Sequence, residues 1–327
     1  VNDYPRRPLT MDPTTAAARA QQVAALANPD RLRLLSSLVT DPESTHTSAS
    51  LAELLDESVA AIDGHLAELL AAGLVEIGPG GAGPTFRPSP DAWVRFGRLL
   101  RGKSGYQEPV ATGAASPPPG ELPPVILKIA ERLAYRFSSH FSRETVTRYV
   151  AESYALLSER ATVTRHLPSL TSRFATDRLG ALATANGFNL TGAPEVLFVC
   201  VQNSGRSQMA AGILRQLAGD RANVRTAGSQ PATQIDERIV DALDEIGVPI
   251  ISEFPKPLTD EVVQAADVVI TMGCGDACPV YPGRRYLDWA IPDPLELSTE
   301  GIRAVRDEIQ SRVEGLLRSL NIAVRPN

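Results

Sequence analysis

The sequence predicts a multidomain chain of three parts: an α winged helix-turn-helix, a three-helix bundle, and an α/β domain built on a parallel sheet. Three observations carry this. Short, well-capped helical patterns followed by a hairpin pattern fill the first hundred residues; a Pro/Gly/Ser-rich stretch interrupts the chain; and apolar runs alternate with helical patterns in the last third. The parts fall at about 14–101, with a linker over 102–120, a bundle over 121–190 and the α/β domain over 194–322.

The first part is punctuated by caps. Asn28 precedes Pro29 at the head of a helix running through Leu35, and Ser50 to Glu53 reads as a capping box opening a brief helix to Leu55. Ser58 caps the next helix, which stops at Gly73. Leu74 to Ile77, a Gly/Pro turn to Pro84, and Thr85 to Arg87 read as a hairpin, and a last helix starts at Ser89-Pro90 and passes Trp93, Phe96 and Leu100. The phrases Leu26 to Leu35 and His65 to Val75 resemble the ArsR-type winged-helix repressors. That resemblance implies operator DNA as a partner, with Ser58, His65 and Arg87 as contacts. The recognition-type helix, Ser58 to Ala72, nevertheless carries Asp63 and Glu68 and no Lys or Arg. Phosphate contacts dominate DNA affinity, so Arg87, Arg95, Arg98, Arg101 and Lys103 would have to supply the charge. The thiolates that sense arsenic in that family have no counterpart in this segment. DNA binding and a purely structural or dimerising role both stay open.

Gly102 to Gly120, with Ser116-Pro117-Pro118-Pro119, is a linker pattern. Pro124 to Phe137, a helix capped by Ser142, and a third helix after Pro168 carry apolar residues at helical spacing and make a small bundle. Tyr149 and Tyr154 belong to its core or an interface, and His140 and His166 sit near helix ends in solvent. The bundle resembles the extension found before the catalytic domain of some actinobacterial arsenate reductases, which implies dimerisation or support of an active site.

The chemistry concentrates in the last third, which holds all three cysteines of the 327-residue chain. Val196 to Val199 is a buried strand pattern, Gln208 to Leu217 a helical one, and Cys200-x5-Arg206-Ser207 lies between them. A loop entering a helix N-terminus turns N–H groups and the positive end of the helix dipole inward. Gln202, Asn203, Ser204, Gly205 and Ser207 would cradle a tetrahedral oxyanion, with Arg206 gripping it through its planar fork. The same field favours the thiolate of Cys200, the form that attacks. Beyond the loop follow a strand over Asn223 to Thr226, helices over Asp236 to Ile246 and Thr259 to Ala266, a strand over Asp267 to Thr271 and a terminal helix over Thr299 to Leu320.

Strand, Cys-x5-Arg loop and helix together resemble the low-molecular-weight protein tyrosine phosphatase family and its arsenate reductase relatives. By that resemblance, Asp293 in Asp293-Pro294 is the general acid. Cys274 and Cys278, four apart in a Gly-rich loop, separate the branches, because a phosphatase needs no such pair. A zinc site would need more ligands than this third offers, and no metal is expected. The pair resembles the thiol relay of thioredoxin-coupled arsenate reductases. This implies arsenate as substrate, Cys200, Cys274 and Cys278 as successive thiols, no tightly bound cofactor, and thioredoxin as electron donor, with mycothiol as the alternative. A tyrosine phosphatase with extra thiols, and an arsenic-responsive regulator using the reductase domain as sensor, are the competing readings.

Bulk properties fit this picture. A net charge of -6 and a pI near 5.4 give no overall basic field for nucleic acid or anionic membrane. No apolar run approaches the roughly 20 residues of a membrane span. An odd number of cysteines and the lack of a secretory h-region at the start point to a reducing cytoplasm. A homodimer is expected from the bundle.

Overall fold

The computed structural model describes residues 12–40, 45–78, 83–90, 92, 96, 122–161, 164–188, 192–250, 253–273, 278–281 and 283–324. The chain divides into two compact units, 1–102 and 103–327. The predicted linker, and Trp93, Arg95, Leu100, Arg98, Arg101 and Lys103, lie outside the described residues, as does Cys274.

The first unit holds α1 (Pro13–Leu26), α2 (Pro29–Thr40), α3 (Ser48–Leu55), α4 (Val59–Ala71) and an antiparallel hairpin of β1 (Val75–Gly78) and β2 (Thr85–Pro88). The helices close on Leu34, Leu35, Leu38, Leu51, Ile62, Leu66 and Leu69, all buried. Asn28 caps α2 as expected, its Oδ1 accepting from the N–H groups of Asp30 and Arg31. The capping box of α3 corrects the sequence reading by one turn. Thr47 is the N-cap, and Ser50 is the third helical residue that answers it. A Ser can fill either role, and Thr47 places the cap before three residues that fit a first turn. Helix α1, capped by Asp12, is an element the sequence reading did not separate.

The second unit begins with α5 (Pro124–Arg136), α6 (Arg143–Ser158) and α7 (Leu167–Ala185), the expected bundle. Ile126, Ile129, Leu133, Val146, Tyr149, Val150, Leu179 and Leu182 form its core. Tyr149 is buried, Tyr154 is partly buried against the same core, and His140 and His166 are exposed.

The sheet that follows has four parallel strands in the order β4-β3-β5-β6. They are β3 (Glu195–Cys200), β4 (Asn223–Gly228), β5 (Val268–Met272) and β6 (Arg285–Asp288), interleaved with α8 (Arg206–Ala218), α9 (Glu237–Asp244), α10 (Asp260–Ala265) and α11 (Thr299–Ser319). A strand flanked on both sides is buried along its length: Val196 to Cys200 are apolar, and the buried Glu195 at its start pairs with Arg225 at 3.1 Å. Val268–Met272 corrects the fourth predicted segment: Asp267 precedes the strand and accepts the N–H of Glu195. Strand β6 was not anticipated, because Arg285-Tyr286-Leu287-Asp288 carries charges at both ends, as an edge strand can.

Bundle and sheet share a core. Leu197, Val199 and Val269 pack with Ala181 of α7 and with Val262 and Val263 of α10. A buried ion cluster closes the same seam. Arg178 of α7 donates to Glu261 of α10 at 2.5 Å and to Glu152 of α6 at 2.9 Å, with its guanidinium 4.6 Å from the Tyr149 ring. Burial works against the charge of Arg178, but Glu261 and Glu152 outweigh it and raise its pKa. Among the described residues, no helix is long and apolar enough to cross a membrane.

Candidate active site

Cys200 ends the central strand, in register with Gly228 of β4 and Met272 of β5. It therefore sits at the carboxyl edge of a parallel sheet, where such folds bind ligands. The loop after it enters α8 at Gly205, and Cys200 itself is buried, 2% exposed.

The loop is held from outside by its carbonyl groups. Those of Cys200, Val201 and Gln202 accept the N–H groups of Ser229, Gln230 and Ala232 at 3.2, 2.8 and 2.8 Å. A trans peptide points its C=O and the next N–H in opposite directions. Each outward carbonyl therefore turns an N–H inward, and that of Asn203 reaches Cys200 Sγ at 3.2 Å. Ser207 Oγ lies 3.0 Å from the same sulfur. Of the residues expected to cradle an oxyanion, Gln202, Asn203, Ser204, Gly205 and Ser207, the structure brings Asn203 N–H and Ser207 Oγ to Sγ. Gln202 is exposed, whereas Asn203, Ser204, Gly205 and Ser207 are buried.

Asn203 is the keystone, and sequence reasoning placed it in the loop without seeing why. Its φ of 50 is left-handed, which Asn tolerates better than most residues. Its Oδ1 accepts the backbone N–H of Lys256 at 2.8 Å, and its Nδ2 donates to Ser207 Oγ at 2.8 Å. Gln208 Nε2 holds its carbonyl at 3.1 Å. Gly228 makes room for the turn: a Cβ there would lie 2.7 Å from Val201 O and 2.9 Å from Asn203 Cβ.

Arg206 opens α8 and reaches across the loop to the far side of the site. Its Nη2 pairs with Asp293 Oδ2 at 2.9 Å and its Nη1 donates to Ile291 O at 3.3 Å. Asp293, a third exposed, also caps a short turn at Pro294–Glu296 by accepting the N–H of Leu295. Loop, cation and acid predicted from sequence are thereby brought together. Gly273, with φ of 70, lets the guanidinium pass: a Cβ would meet Arg206 Nη1 at 2.8 Å. Asp288 stands apart, accepting from Thr271 Oγ1 at 2.7 Å.

Cys278 is buried with the core that lines Leu197 and Val199. The backbone around it is tied to β6: the Tyr286 hydroxyl accepts the N–H of Tyr281 at 2.9 Å and donates to Pro279 O at 3.1 Å. Burial pushes the Tyr286 phenol up, the Tyr281 N–H opposes this, and the neighbouring Cys278 adds to the rise.

In the first unit, Ser58 is the N-cap of α4, accepting from Ala61 N at 3.2 Å. His65 is half-buried on α4, and Arg87 pairs across the hairpin with Glu76 at 3.3 Å.

The site is therefore a cysteine-bearing loop between a parallel strand and a helix, with Arg206 and Asp293 paired beside it, and its inward N–H groups could hold a tetrahedral oxyanion. Residues 195–325 match the family described as low molecular weight phosphotyrosine protein phosphatase. Residues 126–183 match the protein-tyrosine-phosphatase-like N-terminal domain, and 26–77 a helix-turn-helix domain. The thioredoxin-dependent arsenate reductase of Corynebacterium glutamicum is 47% identical, covering 60% of this chain and 96% of that one, with a TM-score of 0.56. A putative arsenate reductase of Halobacterium salinarum is 33% identical over 129 residues, 38% of this chain and 91% of the relative. A glutaredoxin arsenate reductase of Synechocystis is 31% identical over 130 residues, 39% of this chain and 98% of the relative. The chain belongs to the low-molecular-weight phosphatase family, among its arsenate reductases, and carries a helix-turn-helix domain ahead of the reductase part.

Proposed function

We propose that the protein reduces arsenate to arsenite through a relay of three thiols. The observation that carries the reading is the loop around Cys200 Sγ, with inward N–H groups and Arg206 opposite. Two features favour arsenate over a phosphate ester: the Cys274/Cys278 pair, and relatives named arsenate reductases.

The Cys200 thiolate attacks As(V), and Asp293 protonates the departing hydroxide, which leaves as water. Arg206 and the loop N–H groups take the charge on the remaining oxygens. Cys274 then attacks Cys200 Sγ, the S–As electron pair goes to arsenic, and arsenite leaves as the Cys200–Cys274 disulfide forms. Cys278 attacks Cys274, Cys200 departs as thiolate, and the two oxidising equivalents rest in Cys274–Cys278. One dithiol donor, or two equivalents of a monothiol acting in turn, reduces the Cys274–Cys278 disulfide and closes the cycle. Thioredoxin is favoured, because the 47% identical reductase is thioredoxin-dependent; mycothiol is the alternative donor.

The test is arsenate reduction by purified protein supplied with thioredoxin or with mycothiol, in parallel with Cys274→Ser. We expect turnover with thioredoxin and its loss in the variant. Unchanged turnover by Cys274→Ser would remove Cys274 from the relay, and no arsenite from the wild type with either donor would leave the phosphatase reading.

The helix-turn-helix domain supports operator DNA as a further partner, in a chain that both converts and reports arsenic. Gel shift on DNA upstream of the chain's own gene, with and without arsenite, tests this. No shift at low salt would leave the domain a structural role.

A further inference from the structure

We infer that Asp177 and Lys256 are positioning residues through which the helical bundle fixes the loop of the nucleophile, an inference that rests on Cys200 being that nucleophile. Asp177 lies on α7, one residue before the Arg178 that closes the seam. Its Oδ2 is 3.0 Å from Lys256 Nζ, and its backbone carbonyl accepts from Arg225 of β4 at 3.0 Å. The Lys256 side chain is only 11% exposed, and Glu253 Oε2 stands 3.4 Å from the same ammonium. Pro255 and Pro257 flank Lys256 and restrict its backbone.

The backbone of Lys256 is the next link. Its carbonyl accepts the N–H of Gly228 at 2.8 Å, and its N–H donates to the Asn203 side chain at 2.8 Å. A backbone N–H can only donate, so the amide atom it meets is oxygen and the other is nitrogen. That orientation aims Nδ2 at Ser207 Oγ, 2.8 Å away. Ser207 Oγ accepts this hydrogen, so its own O–H is left for Cys200 Sγ at 3.0 Å. A hydrogen bond to sulfur favours the thiolate. A carboxylate on the bundle is therefore linked to the charge state of the nucleophile through Lys256, Asn203 and Ser207.

Asp177 is exposed enough that its ion pair contributes little to global stability. Its effect is geometric, and a merely structural role would leave the thiol unmoved. The experiment follows alkylation of Cys200 by iodoacetamide against pH, in the full chain carrying Cys274→Ser and Cys278→Ser. Asp177→Ala should raise the midpoint of thiolate formation by up to about one unit, slowing alkylation below it up to about tenfold. Asp177→Glu should restore the profile, and melting should hardly move. Asp177→Asn, close in shape, serves if the Ala variant does not fold. Glu131→Ala removes another bundle ion pair, with Arg143, and should change nothing.

An unchanged profile in folded Asp177→Ala, or in Asp177→Asn where that variant replaces it, overturns the inference, as does an equal loss in Glu131→Ala. The readout does not use arsenate. A wild-type chain that alkylates normally but reduces no arsenate would sink the functional reading alone.

Discussion

Arg206 and Asp293, far apart in sequence, hold one another at 2.9 Å across the mouth of the loop. The pair orients both side chains, and under the proposed mechanism each variant removes a different step. Asp293→Asn can still cap its turn but cannot deliver a proton. Turnover should fall by about 10²–10⁴ with little change in arsenate KM. Arg206→Lys keeps a charge and loses the planar fork, so kcat should fall by about 10²–10³. Steady-state arsenate reduction with the thioredoxin system measures both. An Asp293→Asn enzyme of normal turnover would remove Asp293 from the acid role.

Tyr286 ties down the segment that follows Cys278 by two hydrogen bonds, to Tyr281 N and Pro279 O. Tyr286→Phe removes the hydroxyl and keeps the ring. Labelling of Cys278 by a thiol reagent, in a chain with Cys200→Ser and Cys274→Ser, should speed up by about tenfold, the loss of one to two ordinary hydrogen bonds. Equal labelling rates would show that the thiol is released by another route.

The Arg178 cluster sits between bundle and sheet with its side chain 5% exposed and that of Glu261 1% exposed. Removing one partner strands a buried charge. Arg178→Met should cost about 3–5 kcal/mol in denaturant unfolding, far more than the exposed Arg143–Glu131 pair. A loss below about 1 kcal/mol would mean that the seam tolerates the unpaired carboxylates.

Glu245, just after α9, reaches Arg303 and Arg306 of α11. Hydrogen bonding from Arg303 brings its carboxyl down to about 2, against the effect of burial and with Arg306 assisting. A depressed carboxylate stabilises the fold above its ordinary value of 4.5 and loses that contribution as pH falls towards 2. The melting difference between the wild type and Glu245→Gln should be full at pH 7 and shrink between these limits. A difference that persists at pH 2 would contradict the assignment.

The groups proposed to react were legible because chemistry fixes their type and spacing. Cys200, Arg206 and the Asp293-Pro294 step are local patterns set beside a strand and a helix. The groups that orient them were not. Asn203 is braced by Thr226 of β4 and by Lys256, both distant in sequence, so no local pattern reports them, and by Gln208 five residues on. Gly228 and Gly273 matter through what a Cβ would strike, which is invisible before the chain is folded. Elements with strong periodicity, such as α6 and α11, were read within a residue or two. Strand β6 was missed because its edge position removes the apolar signal, and the α3 cap slipped because Thr47 and Ser50 are chemically alike.

The strand order has a consequence for how the site is born. The strand that ends in Cys200 pairs only with segments translated after it, β4 and then β5. Closing those parallel contacts is slow, because the loop entropy comes due before the pairing energy is gained. The bundle, built from neighbouring helices, leaves the ribosome earlier and can fold on local contacts. Asp177, Arg178 and Ala181 meet Lys256, Glu261 and Leu197, partners that are all translated after them. The loop after Cys200 is closed by residues on later segments, and its geometry is complete only once β4 and the stretch carrying Lys256 have been made.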